Sequence, residues 1–160
     1  MTPRRPPLEI ATIVETEGWP ERLDSVAETA IFEALKQSGA KVSGVSEVTL
    51  VLTDNASQQV LNRDWRQVDK PTNVLSFPQI EPFSPLAGLI GDITLARETL
   101  EREAADLGVG FTDHFTHLVV HGFLHLLGYD HIEDDEALQM ESLETQILAT
   151  LGIADPYADE

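Results

Sequence analysis

The chain has 160 residues, 42% hydrophobic and 24% charged, with ten Lys and Arg against 28 Asp and Glu for a formal net charge of -18, and no cysteine. That length suits a single domain spanning 1–160 with its own core, and the missing thiols exclude disulfides, thiolate metal ligands and cysteine nucleophiles. Acidity on this scale argues against a broad polyanion-binding surface, which is built from Lys and Arg.

In chain order, two arginines near the start are followed by no apolar segment of signal-peptide length. No run approaches the roughly 18 apolar residues of a membrane span, so a cytoplasmic protein is expected. The β-branched run over 8–15 predicts a strand. Val26, Ala30, Ile31 and Leu35 fall at helical spacing over 25–39, a segment closed by Gly39. Alternation of Val48, Leu50 and Leu52 predicts a strand over 47–54. Asp54 or Asn55 then caps a helix over 56–66. A short strand is expected over 73–77, a proline-rich loop over 78–87, and another strand over 89–96. Two amphipathic helices follow, one over 97–108 ended by Gly108 and one capped by Thr112 and stopped at Gly128. A last helix covers 134–152, its first-turn acids suiting the helix dipole. The order of elements predicts an α+β fold, with a mixed sheet of about four strands packed against about five helices.

All five histidines lie between His114 and His131. At about 100° per residue, His114, His117, His121 and His125 share roughly 80° of one helix face. The rest of that helix is largely apolar, so the imidazoles face burial, and buried rings need hydrogen-bond partners. A metal ion meets that need for several rings at once. His121 and His125, four apart, can share one tetrahedral ion. Gly128 can take the left-handed conformation that ends a helix and turns the chain back, bringing His131 round as a third ligand. Three imidazoles with an open fourth position make up a catalytic site, suited to zinc and also to nickel or copper. His114 and His117 read as second-layer, polar-network or surface residues.

The spacing equals that of the metzincin peptidases, H-E-x-x-H-x-x-G-x-x-H. Here Gly122 stands where those enzymes carry their glutamate base, which argues against peptidase chemistry. Glycine in a helix interior costs about 1 kcal/mol relative to alanine. Gly122 therefore marks either close packing against another element or room beside His121. Asp92 could orient a ligand imidazole or cap a loop. Asp130, inside the turn, is a second candidate for such a supporting role. From Glu103 to Glu160 there are thirteen Asp and Glu and no Lys or Arg. The nearest thing to a basic cluster is Arg63, Arg66 and Lys70.

With "HGFLHLLGYDH", "NRDWRQVDKPTNVLSFP", "GDITLA" and "HIEDDEALQMESLE" in hand, the chain resembles the YbeY family of bacterial endoribonucleases, also called rRNA maturation factors. The resemblance covers most of residues 45–157. It implies an α+β fold and one zinc-like ion on His121, His125 and His131. It also implies cleavage of single-stranded RNA in 16S rRNA 3′-end maturation and 70S ribosome quality control, with the ribosome or its proteins as partner. An important arginine of the family maps onto Arg66. One departure is visible: the family often has Tyr-Arg-Gly-Lys-Asp where this chain has Trp65 to Asp69 with Gln67 and Val68, so one basic charge is missing. Two other readings stay open, a metal-binding assembly factor without its own catalysis and a metallohydrolase acting on another substrate.

Overall fold

The computed structural model describes residues 7–130 and 133–157. Its elements are β1 (Leu8–Val14), α1 (Leu23–Ser38), β2 (Val42–Thr53), α2 (Asn55–Arg66), β3 (Val74–Pro78), β4 (Leu86–Ala96), α3 (Arg97–Leu107), α4 (Phe111–Leu127) and α5 (Asp134–Thr150). The four strands form one sheet in the order β1-β2-β4-β3. β1 and β4 both run parallel to β2, and β3 runs antiparallel to β4. This is the α+β arrangement of four strands and five helices that the alternating patterns predict. Among the described residues no helix is long and apolar enough to cross a membrane.

Alternation along β2 buries Val48, Leu50 and Leu52, which with Ile93 and Leu95 of β4 join one core cluster with α1, α4 and α5. The helix α4 is central. Phe115, Val119, Val120, Phe123 and Leu124 are fully buried, and α1, α3, α5, β3 and β4 all pack against it. A helix enclosed on so many sides explains why the sequence is apolar nearly all round it.

Local chemistry sets the ends of the elements. The Asp54 side chain accepts from the Ser57 N–H at 2.8 Å and starts α2. Gln67, at φ 57°, closes α2 by donating its N–H to Arg63 O at 3.1 Å. Thr112 does not cap α4: the helix begins at Phe111 after Gly110, and the Thr112 carbonyl instead accepts from the Thr116 hydroxyl at 2.7 Å. β2 begins at Val42 and β4 at Leu86, earlier than alternation predicts. Val42 pairs with Leu86 across a register irregularity, and Gly44 and Gly88 interrupt the apolar pattern there.

Candidate functional site

The expected histidines stand on the last two turns of α4. His121 Nε2 and His125 Nε2 lie 3.0 Å apart, their rings nearly perpendicular at 84°. The other nitrogen of each ring faces an acceptor. His125 Nδ1 donates to the Tyr129 carbonyl at 2.9 Å, and His121 Nδ1 bonds the Glu144 carboxylate. Since a carbonyl and a carboxylate only accept, both Nδ1 atoms carry protons, and in the neutral rings both Nε2 atoms present lone pairs. Two lone pairs held 3.0 Å apart call for positive charge at that point, and the donor set fits a divalent cation. His131 lies outside the described residues. Among the described residues no group of three His, Asp or Glu side chains is arranged to hold a metal ion.

The turn after α4 does more than reverse the chain. Gly128 has φ 120°, and Tyr129 donates back to Leu124 O at 3.1 Å, which brings the Tyr129 carbonyl onto His125. A Cβ at Gly128 would also lie 2.8 Å from Pro82 Cα, so the 78–85 loop closes on this turn. Gly122 resolves as close packing. A Cβ there would meet Ile93 Cγ2 at 2.9 Å and Ser76 Oγ at 3.2 Å, and Ser76 Oγ donates to the Gly122 carbonyl at 2.9 Å. The bare backbone lets α4 sit directly on β3 and β4, which sets His121 beside the β3 edge.

Glu144, on α5, is the functional residue that sequence reasoning missed. It is completely buried and bonds His121 and the Tyr157 hydroxyl, with His117 Nε2 at 3.4 Å. Burial pushes its carboxyl up. Hydrogen bonds from His117, His121 and the Tyr157 hydroxyl outweigh that and hold it below the ordinary glutamate value. A carboxylate in the core therefore fixes the His121 ring orientation and makes its Nε2 more basic. The available signal was periodicity: Met140, Glu144, Ile147 and Leu148 form the buried stripe of α5, and an acid on an apolar stripe needs a partner. His117 sits 3.4 Å from the Tyr157 hydroxyl within the same cluster. His114 turns to α3, where it pairs with Glu103 at 2.9 Å.

Asp92 is not brought to the histidines. Ser76 and Ile93 face α4 through Gly122, so their neighbours Phe77 and Asp92, paired across the strands, face the other way. Trp65 of α2 packs on Phe77 on that side, with ring centroids 5.9 Å apart. The β2–β4 register skips Ile90, which breaks the alternation along β4, and Asp92 is exposed.

Arg66, at the end of α2, and Asp130 line one cavity of about 680 Å³ with His121, His125, Asn73 and Ser76. Buried amides place Arg66. Gln58 Nε2 donates to Thr94 O and Asn62 Nδ2 to Lys70 O, each at 2.9 Å, fixing α2 and the loop after it against β4. Asn73 anchors the start of β3 by bonding Glu103 Oε1 at 3.1 Å and the Val74 N–H at 2.7 Å. Residues 72–76 and Pro78 of the "KPTNVLSFP" block thus line the cavity beside the imidazoles. One arginine thus lines the same open cavity as a pair of metal-suited imidazoles, which suits a substrate bearing an oxyanion.

Residues 10–152 match the family described as Endoribonuclease YbeY. A relative of that name from Methylocella silvestris is 49% identical over 157 residues, covering 97% of this chain and 88% of its own length. Another from Sinorhizobium medicae is 51% identical over 162 residues, covering 95% and 96%. A solution structure of a protein from Thermotoga maritima has the same fold, with a TM-score of 0.55 at 24% identity over 92% of this chain and 98% of that one.

Proposed function

The chain belongs to the YbeY endoribonuclease family, and from that premise we propose that it is a metal-dependent endoribonuclease acting on single-stranded RNA. Its proposed place is 16S rRNA 3′-end maturation and 70S ribosome quality control, in the cytoplasm. The observation that carries the reading is the pair of Nε2 atoms 3.0 Å apart in a cavity shared with Arg66.

His121, His125 and His131 would hold the ion, zinc by preference, with nickel or copper also suited to three imidazoles. Such an ion supplies Lewis acidity towards water and a phosphoryl oxygen when bound. Arg66 binds the phosphate in the cavity and stabilises the charge that builds on it as the ester bond breaks, by two parallel N–H bonds. Glu144 and the Tyr129 carbonyl keep the Nδ1 protons of His121 and His125 in place, so neither ring can turn its lone pair away. The Gly122 backbone carries no group able to act as a base, which leaves peptide hydrolysis without the glutamate that the same spacing uses elsewhere.

The acidic surface repels free RNA at long range. A basic ribosomal protein as docking partner reverses that repulsion, and affinity for it falls as salt rises.

The test is cleavage of single-stranded and structured rRNA fragments by wild type, Arg66→Ala and chelator-treated protein. Cleavage lost in both treated samples is expected. Equal cleavage in all three would refute the assignment. Loss with chelator alone would remove the role given to Arg66 and leave the metal role standing.

A further inference from the structure

β3 is an edge strand, and its outer edge runs along the cavity. Ala96 donates to Asn73 O and Gln79 to Ile90 O, at 3.1 and 2.9 Å. With the register Val74↔Leu95 and Ser76↔Ile93, these bonds fix the phase of the ladder. Asn73, Leu75, Phe77 and Gln79 turn their backbone groups to β4. Val74, Ser76 and Pro78 therefore turn theirs outward. The Val74 N–H is taken by Asn73 Oδ1 at 2.7 Å, and Pro78 has no N–H. Among the described residues, Ser76 alone in β3 offers an outward N–H together with an outward carbonyl. Its position in the wall is shared with His121, His125 and Arg66.

One open residue cannot template a protein strand, which needs a run of such groups. It suits a small planar edge with one donor beside one acceptor. Every nucleobase carries that pair on its Watson–Crick edge when unpaired. Resting on the endoribonuclease reading, we infer that the Ser76 backbone binds the Watson–Crick edge of one RNA base next to the cleaved linkage. In a duplex that edge is occupied, so this contact selects single strands without selecting sequence.

The test is a scan of a short uridine-containing oligoribonucleotide in which N3-methyluridine, which lacks the edge donor, replaces uridine one position at a time. Metal-loaded wild type and Ser76→Pro are compared, with thermal melts to confirm folding. Proline is tolerable at 76 because that N–H faces away from the ladder, as at Pro78. Ser76→Ala runs beside it, to measure separately the loss of the hydroxyl that bonds Gly122. The expected result is one position where methylation slows wild type and Ser76→Ala by about fivefold to tenfold, one hydrogen bond's worth. Ser76→Pro is expected to be slower than Ser76→Ala by a similar factor on unmodified RNA, because it loses the bond from the Ser76 N–H to the base acceptor, and to be slowed again by methylation there, which removes the other bond, from the base N3–H to the carbonyl of residue 76. If the proline variant does not fold, an ester in place of the 75–76 amide deletes the same N–H. A scan with no sensitive position, or an N–H-deleted protein that cleaves unmodified RNA as fast as Ser76→Ala, overturns the inference while RNA cleavage itself still stands. Metal-loaded wild type that cleaves no RNA overturns the endoribonuclease reading, and this inference with it.

Discussion

His121 is held from two sides, by Glu144 from α5 and by His125 one turn on along its own helix. Changing Glu144 to Gln keeps the shape and removes the charge. The Glu144→Gln protein should fold and bind zinc about 10–100-fold more weakly, as measured by competition with a chromophoric chelator. Unchanged affinity would show the carboxylate to be structural only. Gly122 gives a second residue-scale test. An alanine there gains about 1 kcal/mol of helix propensity but meets Ile93 at 2.9 Å, and overpacking costs about 1–3 kcal/mol. Gly122→Ala is therefore expected to lower the unfolding midpoint in urea. A raised midpoint would mean that the α4–β3–β4 contact yields easily.

The elements divide by how locally they are determined. α4 was legible in the sequence because its imidazole face, apolar body and terminal glycine all lie within 17 consecutive residues. The pairing of His121 with His125 follows from the same spacing. Glu144 was not legible, since its 0% exposure comes from α5 lying on α4, and nothing within α5 sets its acids apart except Glu144's place on the apolar stripe. The place of Asp92 was left open between two roles in the sequence, and a skip at Ile90, which resets the alternation on which strand parity depends, is not legible there. Glu103 of α3 ties together α4, through His114, and β3, through Asn73. The His114 hydrogen bond is the main cause holding its carboxyl below the ordinary glutamate value, with Asn73 adding to it. A lowered carboxyl contributes stability above the ordinary value of 4.5 and loses it as pH falls through the folded value. Glu103→Gln should therefore flatten the fall in stability on the acid side of 4.5, followed by urea midpoints against pH. A Glu103→Gln curve parallel to wild type would contradict this.

At the scale of the whole molecule, charge and metal act together. An ion bound only by the folded state raises stability by mass action, about 2.7 kcal/mol at a hundredfold excess over its dissociation constant. The melting temperature of metal-stripped protein should rise with added zinc, and His121→Ala should remove that response. In a chain of net charge -18 the cavity is lined by Asp130 as well as Arg66, so a bound cation would lower the cost of bringing a phosphate there. The measurement that bears most directly on the account is the rate of cleavage of a single-stranded oligoribonucleotide by metal-stripped protein titrated with zinc. The account predicts a rate that rises from background to a plateau at about one equivalent, one tetrahedral ion per set of three imidazoles, with His121→Ala staying at background throughout. Cleavage by the stripped protein as fast as by the loaded one would contradict it.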